Sequence, residues 1–317
     1  MHLNEFADTI DPLDMTATAE FESLCTSAAD LGIAHGSDVS YVSRNIVARH
    51  HRFHFSEWGS PDAATVLLLH GGNQSAHSWD LVSLALADRY HVLALDQRGH
   101  GDSEWARDAD YSSGAMAADA AAFCEALGVA DPIIMGHSMG GMNTMRLTLD
   151  HPDLAKAIVL VDIGPEISEV GTQVIRTFVT ENREFQDLGD FVAAVQKYDP
   201  YRTREHIERT VKYNLLQRVD GTYISKVDHG PRLAHGAEHR RAGDRFTMED
   251  AERIAQPVLL VRGADSWVLT AEAAERFADA LPQGQLVTVP ECSHNVHGQN
   301  TPGFLAAVEP FLASFTP

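Results

Sequence analysis

Residues 133–141 read I-I-M-G-H-S-M-G-G, and within them Gly136-His137-Ser138-Met139-Gly140 fits the pattern G-x-S-x-G. An apolar run, Pro132 to Met135, leads in, and a helix-compatible run, Gly141 to Leu149, leads out. Five such letters also arise by chance in glycine-containing loops; the strand–turn–helix setting gives them meaning. A sharp turn there lifts a serine hydroxyl clear of the backbone. Glycines at 136 and 140 leave room for strand and helix to approach each other. The hydroxyl then sits near a helix N-terminus, where free N–H groups and the dipole favour developing negative charge. Ser138 is therefore the candidate nucleophile.

Working outward, the same strand–helix rhythm recurs. Thr65–Leu69, His91–Leu95, Lys156–Asp162, Pro257–Arg262 and Gln285–Val289 are short apolar runs, typical of strands buried on both faces. Helical stretches follow at Ser78–Arg89, Ala115–Leu127 (closed by Gly128), Ala271–Leu281 and Pro302–Phe315. This order predicts a parallel sheet covered on both faces, an α/β fold. Ahead of it, Ser43–Trp58 alternates around Ile46, Ala48, Phe53 and Phe55, which predicts two antiparallel strands. His50, His51 and His54 fall there. Alternation sends successive side chains to opposite faces, so they read as surface residues and not as a metal site.

Two regions depart from the rhythm. Residues 1–38 are a polar, acidic extension with one short helix from Phe21 to Leu31, ending at Gly32. Packing on the body or a homodimer contact are the roles open to it. From Ile167 to about Asp250 no apolar strand run appears, only charged helical stretches such as Phe191–Lys197 and Arg204–Arg218. This predicts an all-helical cap over residues 165–250, inserted between core segments 39–164 and 251–317. Caps of this kind exclude water and shape a pocket. His235-Gly236-Ala237-Glu238-His239 matches the zinc-protease pattern H-x-x-E-H, but Gly236 and Gly243 weaken the helix it needs, so no metal is assigned. Asp96–Ser103 is glycine-rich yet lacks the lysine and spacing of a phosphate-binding loop. It reads as an architectural turn held by Asp96 and Arg98.

Composition narrows the function classes. A chain of 317 residues, 44% hydrophobic, can bury one large core with an inserted cap. The net charge of −21 repels phosphate backbones and anionic lipid, so neither nucleic acid nor a membrane surface is an expected partner. There is no run of eighteen apolar residues and no apolar signal core at the N-terminus. Cys25, Cys124 and Cys292 are far apart and odd in number, which fits reduced thiols and a cytoplasmic location. Cys292 reads as a small buried filler.

In a parallel sheet every strand's carboxyl end lies on one edge. Ser138, Asp265 and His294 each follow a strand, in the order Ser…Asp…His expected of this turn class. A serine hydroxyl needs a base, for which His294 is placed, and an orienting carboxylate, for which Asp265 is placed. The oxygen that becomes negative needs two N–H donors. Met139, after the nucleophile, supplies one, and the His70-Gly71-Gly72-Asn73 loop supplies the other at Gly72.

With these stretches assembled, the chain resembles the α/β-hydrolase family from about Val42 to the C-terminus. The resemblance rests on H-G-G-N at 70–73, D-Q-R-G-H-G-D-S at 96–103, G-H-S-M-G-G at 136–141, G-A-D at 263–265 and S-H-N-V-H at 293–297. It implies an eight-stranded, mostly parallel sheet with a helical cap inserted after the sixth strand, and it again selects Gly72 as an oxyanion donor. Relatives that open epoxides or remove halide carry Asp at the nucleophile position, so Ser138 implies acyl-group hydrolysis. Some relatives place the orienting acid where Asp162 stands; Asp265 is the preferred acid and Asp162 the alternative. His297 competes with His294 as base, but a small residue before the histidine fits Ser293-His294 better. That leaves His297 to line the pocket, with Asn73, Trp79 and Trp267. The expected substrate is a small-molecule carboxylic ester or lactone, cleaved through an acyl-enzyme without cofactor or metal. Relatives with the same triad cleave C–C bonds of diketone-like compounds, and others are ligand receptors or cofactor-free oxygenases. Those readings stay open at this point.

Overall fold

The computed structural model describes residues 12–230 and 246–316. The His235–His239 stretch lies outside them. In chain order the strands are β1 (Leu13–Asp14), β2 (Tyr41–Ala48), β3 (His51–Trp58), β4 (Thr65–Leu69), β5 (His91–Leu95), β6 (Ile133–His137), β7 (Ala157–Val161), β8 (Glu184–Phe185), β9 (Leu215–Gln217), β10 (Tyr223–Ser225), β11 (Val258–Gly263) and β12 (Gly284–Val289). Nine of them form the main sheet in the order β1-β2-β3-β5-β4-β6-β7-β11-β12. From β5 to β12 all neighbours run parallel, and β1, β2 and β3 join antiparallel.

The parallel strands form where the sequence is solidly apolar. Val66, Leu68, Val92 and Ala94 belong to the core on one face; Leu67, Leu69, Leu93 and Leu95 belong to the core on the other. Such strands have no polar face to show water and must be covered twice. Helices do this, with ends set by local chemistry. Ser112 accepts the Ala115 N–H at the start of the helix Ser113–Leu127, and Gly128 ends it at φ +66° in the left-handed region.

The extra strand relative to the expected eight is β1, a two-residue piece of the N-terminal extension paired to β2 at Leu13 and Ser43. The expected helix of the extension spans Ala19–Asp30, and its Leu24 and Ala28 are buried in the main core.

The insertion is not all-helical. Its helices Glu169–Glu181, Leu188–Tyr198 and Arg204–Val211 accompany a three-stranded antiparallel sheet, β8-β10-β9. These strands have two or three residues each, too short to print a period on the sequence. They close over a separate small core that includes Phe185, Val192, Ile207 and Leu215.

His54 also departs from the surface reading: it is buried at 5% exposure. Its Nδ1 donates to Asp96 Oδ2 at 2.7 Å and its Nε2 meets Ser43 Oγ at 2.9 Å. Asp96 accepts the Ala76 and Asp102 N–H groups as well. Burial opposes charge on His54, but the Asp96 hydrogen bond and the negative charges of Asp96 and Asp102 together outweigh it and raise the imidazole's pKa. Arg98 pairs with Asp119 through both Nε and Nη2. The turn at 96–103 is thus the architectural network its composition implied. His54, Asp96 and Asp102 could in principle hold a cation, but the two buried members already saturate one another.

Candidate active site

Ser138 sits between β6 and the helix Met139–Asp150 with φ +48° and ψ −110°. A non-glycine residue held there is strained, and the strain turns its side chain out of the chain path. The surroundings enforce it. A Cβ on Gly136 would stand 2.5 Å from the Gly140 carbonyl oxygen, and one on Gly140 would collide with the Leu69 carbonyl. Ser138 N–H is held by the Val161 carbonyl at 3.1 Å.

His294 follows β12. Ser138 Oγ donates to His294 Nε2 at 2.9 Å, and His294 Nδ1 donates to Asp162 Oδ2 at 2.8 Å. The carboxylate against the imidazole is Asp162, which corrects the preference for Asp265. Asp162 directly follows β7, the neighbour of β6, and has no solvent exposure. Two more donors hold it: Ser266 Oγ at 2.5 Å and Gly263 N–H at 3.2 Å. A fully buried carboxylate needs donors for its oxygens in this number, because each left unpaired would cost free energy. Asp265 instead faces solvent and accepts from Tyr201 Oη of the insertion at 3.0 Å.

The base is also held through its backbone. His137 Nε2 donates to the His294 carbonyl at 2.9 Å. Burial first, and the neighbouring His297 and His294 next, push the His137 pKa well below the ordinary value of 6.5, so it is neutral. Gln74 accepts the Gly71 N–H at 2.9 Å and donates to Asn295 at 3.3 Å, joining the H-G-G-N loop to the His294 loop. Cys292 is no rival nucleophile: burial pushes its thiol up to about 12.

Gly72 and Met139 line the same cleft as Ser138 and His294, and a side chain on Gly72 would lie 3.9 Å from Met139 Cβ. Asn73 and Trp267 line it too. Trp79 and His297, also expected at the pocket, are not on its wall. Trp79 is fully buried and stacks on His297 at 3.8 Å between ring centroids, with Phe304 beyond. The short 3-10 turn Ala76–Trp79 points the indole toward the final helix. Sequence reading missed the supporting groups His137, Gln74, Ser266 and Tyr201, since each acts through a partner distant in the chain.

The cleft opens into a cavity of about 1970 Å³ whose walls come from both the core and the insertion. Ligand sites for small molecules run to about 1,000 Å³, so there is room for more than a short acyl group.

A fold of this kind, with a serine, a histidine and a buried carboxylate in line at the sheet edge, defines a hydrolase. Residues 64–301 match the family model for the alpha/beta hydrolase fold, and the chain belongs to that family. It is 28% identical over 269 residues to an esterase of Mycobacterium tuberculosis, Rv0045c, covering 81% of this chain and 83% of that one. It is 27% identical over 290 residues to 2-(acetamidomethylene)succinate hydrolase of Mesorhizobium japonicum, covering 90% and 98%. A crystal structure of E-2-(acetamidomethylene)succinate hydrolase superposes with a TM-score of 0.77 at 25% identity, covering 86% of this chain and 99% of that one. Among the described residues no helix is long and apolar enough to cross a membrane.

Proposed function

We propose that the protein is a serine hydrolase that cleaves a carboxylic ester or lactone through an acyl-enzyme. The observation that carries this is the unbroken hydrogen-bond line from Ser138 Oγ through His294 to Asp162. In this reading Ser138 attacks the substrate carbonyl while His294 Nε2 takes its proton. Asp162 keeps the other ring nitrogen protonated and stabilises the imidazolium as it forms. The oxygen that turns negative points at the N–H groups of Gly72 and Met139, each donor lowering the barrier by about 3 kcal/mol. His294 returns the proton to the leaving alcohol, then activates water to release the acid. The insertion acts as a cap that keeps bulk water from the acyl-enzyme. Asp162 replaces Asp265 as orienting acid in this mechanism.

The test is covalent. A fluorophosphonate should label the protein stoichiometrically at Ser138, and Ser138→Ala should lose both labelling and turnover of p-nitrophenyl esters, a fall of about 10⁶-fold. Ester turnover that survives Ser138→Ala would overturn the serine mechanism. Turnover of a vinylogous diketone but of no ester or lactone would assign the same residues to C–C bond hydrolysis.

A further inference from the structure

We propose that the cavity selects a substrate whose acyl group carries a carboxylate, and that Arg183 binds that charge. The proposal rests on the hydrolase reading above and names the substrate class for its site. Arg183 lies just ahead of β8, is half-buried, and lines the same cavity as Ser138. Its Nε is shut off from solvent and has no hydrogen-bond partner. The other arginines of the wall differ. Arg146, Arg202, Arg253 and Arg276 each meet a carboxylate of the chain within 3.0 Å, and Arg176 is exposed. A half-buried guanidinium with one N–H sealed from water and no counter-ion is costly, and folded chains supply the counter-ion or leave it to a ligand.

Ser225 N–H donates to the Arg183 carbonyl at 3.1 Å, which fixes Arg183 at the edge of the small sheet. Lys226, next after Ser225, is spoken for by Asp102 at 2.6 Å. A single guanidinium matches one negative charge, which suits a carboxylate better than a phosphate dianion.

The wall between the two ends suits an acyl chain. Rings run in contact from His294 to Trp267 at 6.0 Å, from Trp267 to Tyr198 at 5.8 Å, and from Tyr198 to Phe178 at 4.5 Å. Phe178 lies in the last turn of the helix Glu169–Glu181, and Arg183 follows two residues after that helix ends. An ester carbonyl at Ser138 thus continues along an aromatic wall toward a cation. The chain's net charge of −21 makes an unpaired cation here the more telling.

The experiment compares kcat/KM for the mono-p-nitrophenyl ester of sebacic acid, long enough to follow the aromatic wall, with that for p-nitrophenyl decanoate, in the full chain and its variants. The native chain should favour the anionic ester at least tenfold. Arg183→Gln should lower that ratio by about 10- to 100-fold, the worth of one charge-assisted hydrogen-bond pair, and Arg183→Lys should keep part of it. Arg218→Gln, on the same small sheet but paired with Glu184, should leave the ratio within about twofold. An unchanged ratio in Arg183→Gln, or a native chain that prefers the decanoate ester, overturns the proposal. Melting curves of each variant separate misfolding from lost recognition. If no ester turns over and no fluorophosphonate labels Ser138, the hydrolase reading fails by itself. Calorimetry with adipate at about 10 mM then decides the anion site: binding lost in Arg183→Gln supports it, and no binding to the native chain removes it.

Discussion

In the main sheet, every residue from Val66 to Leu69 and from Val258 to Val261 is buried, most of them with no exposure at all. In the small sheet of the insertion, Leu216 is 46% exposed, and three strands rest on a handful of apolar side chains. The groups that would do chemistry, Ser138, Asp162 and His294, all come from the first region. The groups that would choose a substrate, Arg183 and Tyr198, come from the second. Reaction geometry tolerates errors of a fraction of an ångström and belongs on a doubly covered sheet. Recognition changes between substrates and sits on the part with less to lose.

The sharpest test of this division sets Asp162 against Asp265. Asp162→Asn leaves His294 in the wrong tautomer and should cost about 10³- to 10⁴-fold in kcat. Asp265→Asn removes one exposed hydrogen bond to Tyr201 and should change kcat/KM by less than about fivefold. The reverse order would break the assignment. Next come two fully buried aliphatics. Leu260→Ala in β11 should lower the stability of the whole chain by about 2–5 kcal/mol, seen as a lower Tm. Ile207→Ala in the insertion removes similar contacts, yet hydrogen exchange should speed up in residues 169–225 while the sheet amides stay protected. Uniform exchange in both variants would show one cooperative unit where two are expected.

The smallest effect concerns pH. His70, His137 and His297 are fully buried, and burial first of all holds their pKa values down. The unfolded chain, with histidines near 6.5, binds protons that the folded chain refuses, so stability falls as pH drops below about 6.5. His54, with its raised pKa, works the other way but alone. Tm should therefore decline from pH 7 to 5.5. Neither ring nitrogen of His297 has a partner. His297→Phe would keep the stack on Trp79, raise stability by about 1 kcal/mol and flatten the decline. A slope equal to that of the native chain would refute this account.

The parallel strands and their helices were legible because a strand buried on both faces leaves a continuous apolar run. The Ser138 turn was legible because its glycines and flanks are local. The acid was not: Asp162 and Asp265 both follow strands and keep the same chain order. What separates them is that β7 lies next to β6, while Asp265 stands two residues beyond β11 on an outward turn, and pairing of that kind leaves no local trace. One hint was available. Asp162 ends a run of five apolar residues, and a carboxylate so placed needs donors such as Ser266. Trp79 was misplaced because the direction of a side chain leaving a 3-10 turn is set by the final helix, more than 200 residues away, and His297 turns from the pocket to stack on that same indole. The pairing of His54 with Asp96 is likewise non-local.

The helix Ala19–Asp30 lies ahead of the stretch that matches the family model, yet Glu20 grips Lys212 and receives Tyr213 Oη at 3.1 Å. Tyr213 in turn stacks on His77 at 3.5 Å, and Arg209 reaches Asp80 at 3.2 Å. Anyone splicing the insertion into a homologous scaffold, or receiving a foreign one here, should therefore move residues 12–33 together with it. Crossover points chosen only at the edges of 165–250 would leave the transplanted piece without its buttress.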